Sequence, residues 1–129
     1  MADIPKQPAC ACDGAPHLIF ACSGAADVGH VADLAARQLT REGVGKMYCL
    51  AGIGGRVSGI METTRAAASI LAIDGCPLNC VKHTLQEAGF GEFQHFRVTD
   101  TGLQKGDTPA TDQNIERVVQ RGRRELVEA

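Results

Sequence analysis

The stretch Ser69-Ile70-Leu71-Ala72-Ile73-Asp74-Gly75-Cys76-Pro77-Leu78-Asn79-Cys80 constrains the fold more than any other part of the chain. An apolar run rich in isoleucine and leucine reads as a buried strand, and Asp74-Gly75 ends it. Pro77 suits the first position of a helix, where no backbone donor is needed. A helix starting there puts Cys76 at its cap and Cys80 one turn on, with both sulfurs on the same side. A helix N-terminus favours negative charge, so the spacing predicts thiols with lowered pKa values. Thiolate is the form that binds metal or attacks electrophiles.

The rest of the chain repeats this strand-to-helix pattern. His17 to Cys22 is apolar almost throughout, as a buried parallel strand should be. It runs into the small-residue turn Ser23 to Gly29. A helix follows to about Glu42, with Val31, Leu34, Ala35 and Leu39 on one face, and Gly43 suits its end. Lys46 to Ala51 reads as a second strand, closed by the turn Gly52-Ile53-Gly54-Gly55. A helix from about Arg56 to Ala66 should carry Val57, Ile60 and Met61 inward. The helix after the central strand has Leu78, Val81, Leu85 and Ala88 on one side and stops at Gly89. Glu92 to Val98 alternates apolar and polar residues, which suits an edge strand. After a polar loop from Thr99 to Thr111, Asp112 can cap a last helix with Ile115, Val118, Val119 and Leu126 inward. Its Arg117, Arg121, Arg123 and Arg124 read as a solvated face.

Strands alternating with helices predict an α/β, three-layer fold with a mostly parallel four-stranded sheet. Right-handed crossovers leave few topologies, and a flavodoxin-like order 2-1-3-4 is expected. The chain has 129 residues, enough for one domain with a real core and too few for two. The reading is a flexible arm over residues 1–16 and a single α/β metal-binding domain over residues 17–129. The arm holds Cys10 and Cys12, read as incidental thiols or as an extra ligand or resolving thiol. Net charge is −2, without the basic field that nucleic-acid binding uses. No apolar run reaches membrane-span length, and no signal peptide is read, so the expected setting is cytoplasmic. Six cysteines in a reducing compartment argue for metal or thiol chemistry over structural disulfides.

Parallel strands present their C-terminal ends to one edge of the sheet, where ligand sites lie. Cys22 ends the first strand, Cys49 lies near the end of the second, and Cys76 follows the third, with Cys80 a turn beyond. In a 2-1-3 order these tips span roughly 10 Å. Four thiolates suit Zn²⁺, and also an iron–sulfur cluster. The plainer reading makes Cys22 and Cys49 small buried hydrophobes. A cysteine phosphatase loop is disfavoured, because Val28 stands six residues after Cys22 where the phosphate-binding arginine belongs. The glycine-rich turns match neither G-x-G-x-x-G nor a phosphate loop ending in Lys-Ser/Thr. His17 and His95 read as surface or edge residues, and His30 and His83 as solvated. Asp27 and Asp74 read as capping or loop-binding groups, or as orienting partners of the site.

The residues Cys22-Ser23-Gly24 with Asp27 and Gly29, then Cys49, then Asp74-Gly75-Cys76-Pro77-Leu78-Asn79-Cys80, then Gly102-Leu103-Gln104-Lys105 resemble the DGC family. That family of proposed zinc-binding proteins is named for its Asp-Gly-Cys motif. The resemblance covers about Leu18 to Lys105. It implies that Cys22, Cys49, Cys76 and Cys80 correspond to the family's four potential chelating cysteines, and it names no reaction.

The expectation is therefore a small cytoplasmic zinc-binding protein. Cys22, Cys49, Cys76 and Cys80 would hold the metal, in a sensor, a carrier or a structural site. The alternative is a thiol-redox or sulfur-transfer enzyme using Cys76 and Cys80. A redox pair is more often C-x2-C, and such an enzyme should leave Cys22 and Cys49 dispensable.

Overall fold

The computed structural model describes residues 15–127. Cys10, Cys12 and most of the expected arm lie outside the described residues. The elements run β1 (His17–Ala21), α1 (Asp27–Arg41), β2 (Lys46–Met47), α2 (Leu50–Gly54), α3 (Ser58–Arg65), β3 (Ser69–Asp74), α4 (Cys80–Glu87), β4 (Gln94–Arg97), a 3-10 turn (Val98–Thr101) and α5 (Asp112–Val127). The sheet is four-stranded, with order β2-β1-β3-β4 and every pair parallel. This is the α/β fold and strand order that the alternation of patterns predicts.

β1 and β3 form the centre. They pair along their length, from His17 opposite Ser69 to Ala21 opposite Ile73. Both are buried on both faces, so their side chains divide by parity between two cores. Ile19, Ala21, Leu71 and Ile73 face α1 and α5, packing with Val31, Ala35, Leu39, Val118 and Val119. Leu18, Phe20, Ile70 and Ala72 face the other way, onto Ile53, Met61, Val81 and Leu85. Small residues let the layers approach closely. A Cβ on Gly122 of α5 would lie 2.7 Å from Leu39 Cδ1 of α1.

Two boundaries differ from the sequence expectation. β2 holds only Lys46 and Met47, and the expected strand to Ala51 instead turns into α2. Cys49 caps that short helix, its Sγ accepting the Gly52 N–H at 3.3 Å. Gly52 fits there because a Cβ would come within 2.1 Å of Ile60 Cδ1. The residues expected as a glycine turn are thus helix, pressed against α3.

The second difference is the start of α4. Pro77 is not its first residue: the helix begins at Cys80, with Asn79 before it in the left-handed region at φ 56°. The Asp74 carboxylate explains the displacement. It accepts the backbone N–H groups of Val81 at 2.7 Å and Lys82 at 3.1 Å, and so caps the helix from the end of β3. Leu78, expected inward, precedes the helix and is 65% exposed. Val57, also expected inward, lies before α3 and is exposed.

The arginines of α5 do more than meet solvent. Arg117 donates to the Thr101 carbonyl at 3.1 Å. Arg121 lies 5.0 Å over the Phe96 ring and pairs with Glu125, and Arg123 pairs with Glu42. α5 lies against β4 and α1, which brings these partners within reach. Among the described residues no helix is long and apolar enough to cross a membrane.

Candidate functional site

The loops after β1 and β3 are pressed together, and glycines make that contact possible. A Cβ on Gly75 would stand 3.0 Å from the Gly29 backbone nitrogen and 3.1 Å from the Val28 carbonyl carbon. A Cβ on Gly29 would stand 3.0 Å from the Gly24 backbone. Side chains would push these turns apart. The glycines around the cysteines therefore set how near the two loops come.

Cys22 follows β1 directly. Its N–H donates to the Ile73 carbonyl at 2.9 Å, and its half-buried side chain packs on the Leu18–Phe20 core. Cys76 follows β3 by two residues and packs, half-buried, on the opposite core. Cys80 opens α4 and is exposed overall. Its thiol pKa is raised, not lowered as the helix N-terminus suggests. Burial of the sulfur is the largest cause, followed by the negative charges of Cys22, Asp74 and Cys76, with Lys105 opposing. Loss of solvation at the sulfur, the largest cause, outweighs what the first turn of one helix supplies.

Cys22, Cys76 and Cys80 thus share one electrostatic neighbourhood. Cys49 is not among the charges that act on Cys80. Its sulfur is engaged with the Gly52 amide, and it lines a cleft beside β2. Among the described residues, no three His, Cys, Asp or Glu side chains stand close enough together to hold a metal ion.

Both motif aspartates bind backbone. Asp74 is buried and caps α4, and its Oδ2 also lies 2.9 Å from His95 Nε2. His95, read as a surface or edge residue, lies on the edge strand β4, and its side chain is 17% exposed. His95 points opposite to the buried Phe96, to the side where the Asp74 carboxylate meets it. Asp27 accepts the N–H groups of Gly106 at 2.9 Å, Thr108 at 2.8 Å and Val28 at 2.7 Å. These bonds lower its pKa, Gly106 most and Thr108 next. They also tie the loop carrying Lys105 to the start of α1, and so hold that lysine where its charge acts on Cys80. Lys105 was visible in the sequence only as part of Gly102-Leu103-Gln104-Lys105. His30 and His83 are exposed, as expected.

A model of the DGC domain matches residues 18–121. The chain is also similar to the "Anaerobic and virulence modulator AnvM" of Pseudomonas aeruginosa, 39% identical over 88 residues. That match spans 68% of this chain and 67% of the relative. No solved structure matches significantly. The motif residues, the sheet that carries them and the extent of the match lead to one conclusion: the chain belongs to the DGC domain family.

Proposed function

We propose that this protein is a cytoplasmic, thiol-based regulator that binds zinc as a sensor or carrier. The observation supporting it most is the placement of Cys22 after β1 and of Cys76 and Cys80 after β3, at the carboxyl ends of adjacent parallel strands, where this architecture locates ligands. The relative's name describes a modulator, which favours a regulatory role over a catalytic one. Among the described residues no general base is aimed at the thiols: His95 is engaged with Asp74, and Asp74 with the start of α4.

The donor chemistry fits zinc, since thiolates are its preferred structural ligands. Cys22, Cys76 and Cys80 would hold the ion, with Cys49 the fourth ligand once its sulfur leaves the Gly52 amide. A bound cation would stabilise these sulfurs as thiolates. The Asp74 cap holds Cys80 in place, and the close packing of Gly75 on α1 holds Cys76 near Cys22.

A second reading is a dithiol switch. The absence of an assembled three-donor group among the described residues favours it. Cys76 and Cys80 would then close to a disulfide, passing two protons and two electrons to an organic disulfide acceptor. Metal content of anaerobically purified protein separates the two. Zinc at about one per chain, lost in Cys22→Ser, Cys49→Ser, Cys76→Ser and Cys80→Ser and kept in Cys10→Ser and Cys12→Ser, supports the first reading. No metal, together with a Cys76–Cys80 disulfide after mild oxidation, supports the second.

A further inference from the structure

An open cleft of ≈ 1040 Å³ lies beside the short strand β2. Its origin is the early end of that strand. β1 pairs with β2 only at Leu18 and Ile19, and the bond from Tyr48 N–H to the Ile19 carbonyl, 2.8 Å, is the last rung. Parity turns the backbone N–H and carbonyl of Ala21 away from β3, to the side where β2 has already ended. The chain folds back as α2 and leaves a space against the upper half of β1.

The lining of this space is divided. Met47, Tyr48, Leu50 and Ala51 supply apolar surface, and Arg37 and Lys46 supply positive charge. One carboxylate, Asp33, is also present, but both its oxygens are engaged. Oδ1 accepts the Ser23 hydroxyl at 2.6 Å, and Oδ2 accepts Arg37 Nε at 2.7 Å. Arg37 thereby keeps its two terminal amino groups, which bond no other protein group among the described residues. Two cations against one covered carboxylate leave the lining net positive.

We infer that this cleft binds a small amphipathic anion, a carboxylate or similar oxyanion on an apolar body. The volume suits an organic ligand better than a lone inorganic anion. The anionic head is received by the Arg37 guanidinium, whose fork suits an oxyanion, and by Lys46. The apolar body lies along Met47, Tyr48 and Leu50. The anion-binding groups Arg37 and Lys46 are not among the proposed metal ligands, but a bound ligand would lie against Cys49, which this cleft shares with the proposed zinc site.

The protein carries its own reporter. Tyr48 is the one tyrosine, and there is no tryptophan, so intrinsic emission reports the cleft alone. The full chain is titrated with octanoate while Tyr48 fluorescence is followed, with 1-octanol and octylammonium as neutral and cationic counterparts. Octanoate is expected to give a saturable change at lower concentration than either counterpart. Arg37→Gln and Lys46→Gln should each weaken octanoate by roughly tenfold, the scale of a charge-assisted bond. Lys46, exposed and away from the Asp33 pair, guards against a folding effect in the Arg37 variant. Equal response to the three probes, no response to octanoate, or unchanged octanoate affinity in both variants overturns the assignment.

Discussion

The carboxylate of Asp74, at the last position of β3, accepts the backbone N–H of Val81 at 2.7 Å. With the bond to Lys82 it satisfies two donors that the first turn of α4 leaves unpaired. The motif aspartate is thus the helix cap that sequence logic sought at Cys76. Asp74→Ala strips these donors and His95 of their shared acceptor and is expected to destabilise the fold by about 2–4 kcal/mol. Asp74→Asn, which keeps one acceptor oxygen, should recover part of that loss. Urea denaturation midpoints of the three proteins measure it.

Glycine substitutions should divide by what a Cβ meets. At Gly75 it meets backbone of α1 at 3.0 Å, which cannot rotate away. Gly75→Ala is therefore expected to cost about 1–3 kcal/mol. At Gly59, inside α3, a Cβ meets nothing within 4 Å. Gly59→Ala should stabilise by roughly 0.5 kcal/mol, the helix preference for alanine. Paired thermal melts would show opposite signs.

The displaced start of α4 is testable through two leucines. Leu85 is fully buried, and Leu85→Ala should cost about 2–5 kcal/mol. Leu78 lies outside the helix and mostly in solvent, so Leu78→Ser should change stability by no more than about 0.5 kcal/mol. Equal losses in chemical denaturation would instead favour a helix that starts at Pro77 and turns Leu78 inward.

Asp27 carries an acid-side dependence. Its native pKa lies below the ordinary value, chiefly through the Gly106 and Thr108 amides. A depressed native pKa stabilises the fold fully above the unfolded-state value of about 4. That contribution is lost as pH falls through the lower native value. The melting-temperature gap between the native chain and Asp27→Asn should thus be constant from neutral pH down to about 4 and close below it. A gap that widened in acid would contradict the assignment.

The general architecture was legible because its signals are local. Apolar runs of strand length, helical faces such as Val31, Ala35 and Leu39, and short connections predict a parallel sheet, and handedness limits its order. The position of cysteines just past apolar runs is an equally local signal, and Cys22 and Cys76 do follow β1 and β3. Helix and strand ends were less legible. Pro77 is compatible with a helix start, and the residues from Lys46 to Ala51 are compatible with a strand, so pattern alone favours both.

By itself, then, the sequence determined the order of elements, the two-sided core and the presence of thiols near one edge of the sheet. Only the tertiary structure decided where β2 and α4 begin and end, and which groups face each thiol. The physical reason is distance along the chain. Asp74 selects the start of α4 by reaching Val81, and Ile60 packs over Gly52 where a turn was expected. Asp27 holds the loop that brings Lys105 toward Cys80. Each of these contacts joins residues from different elements, and no periodicity within one element encodes them.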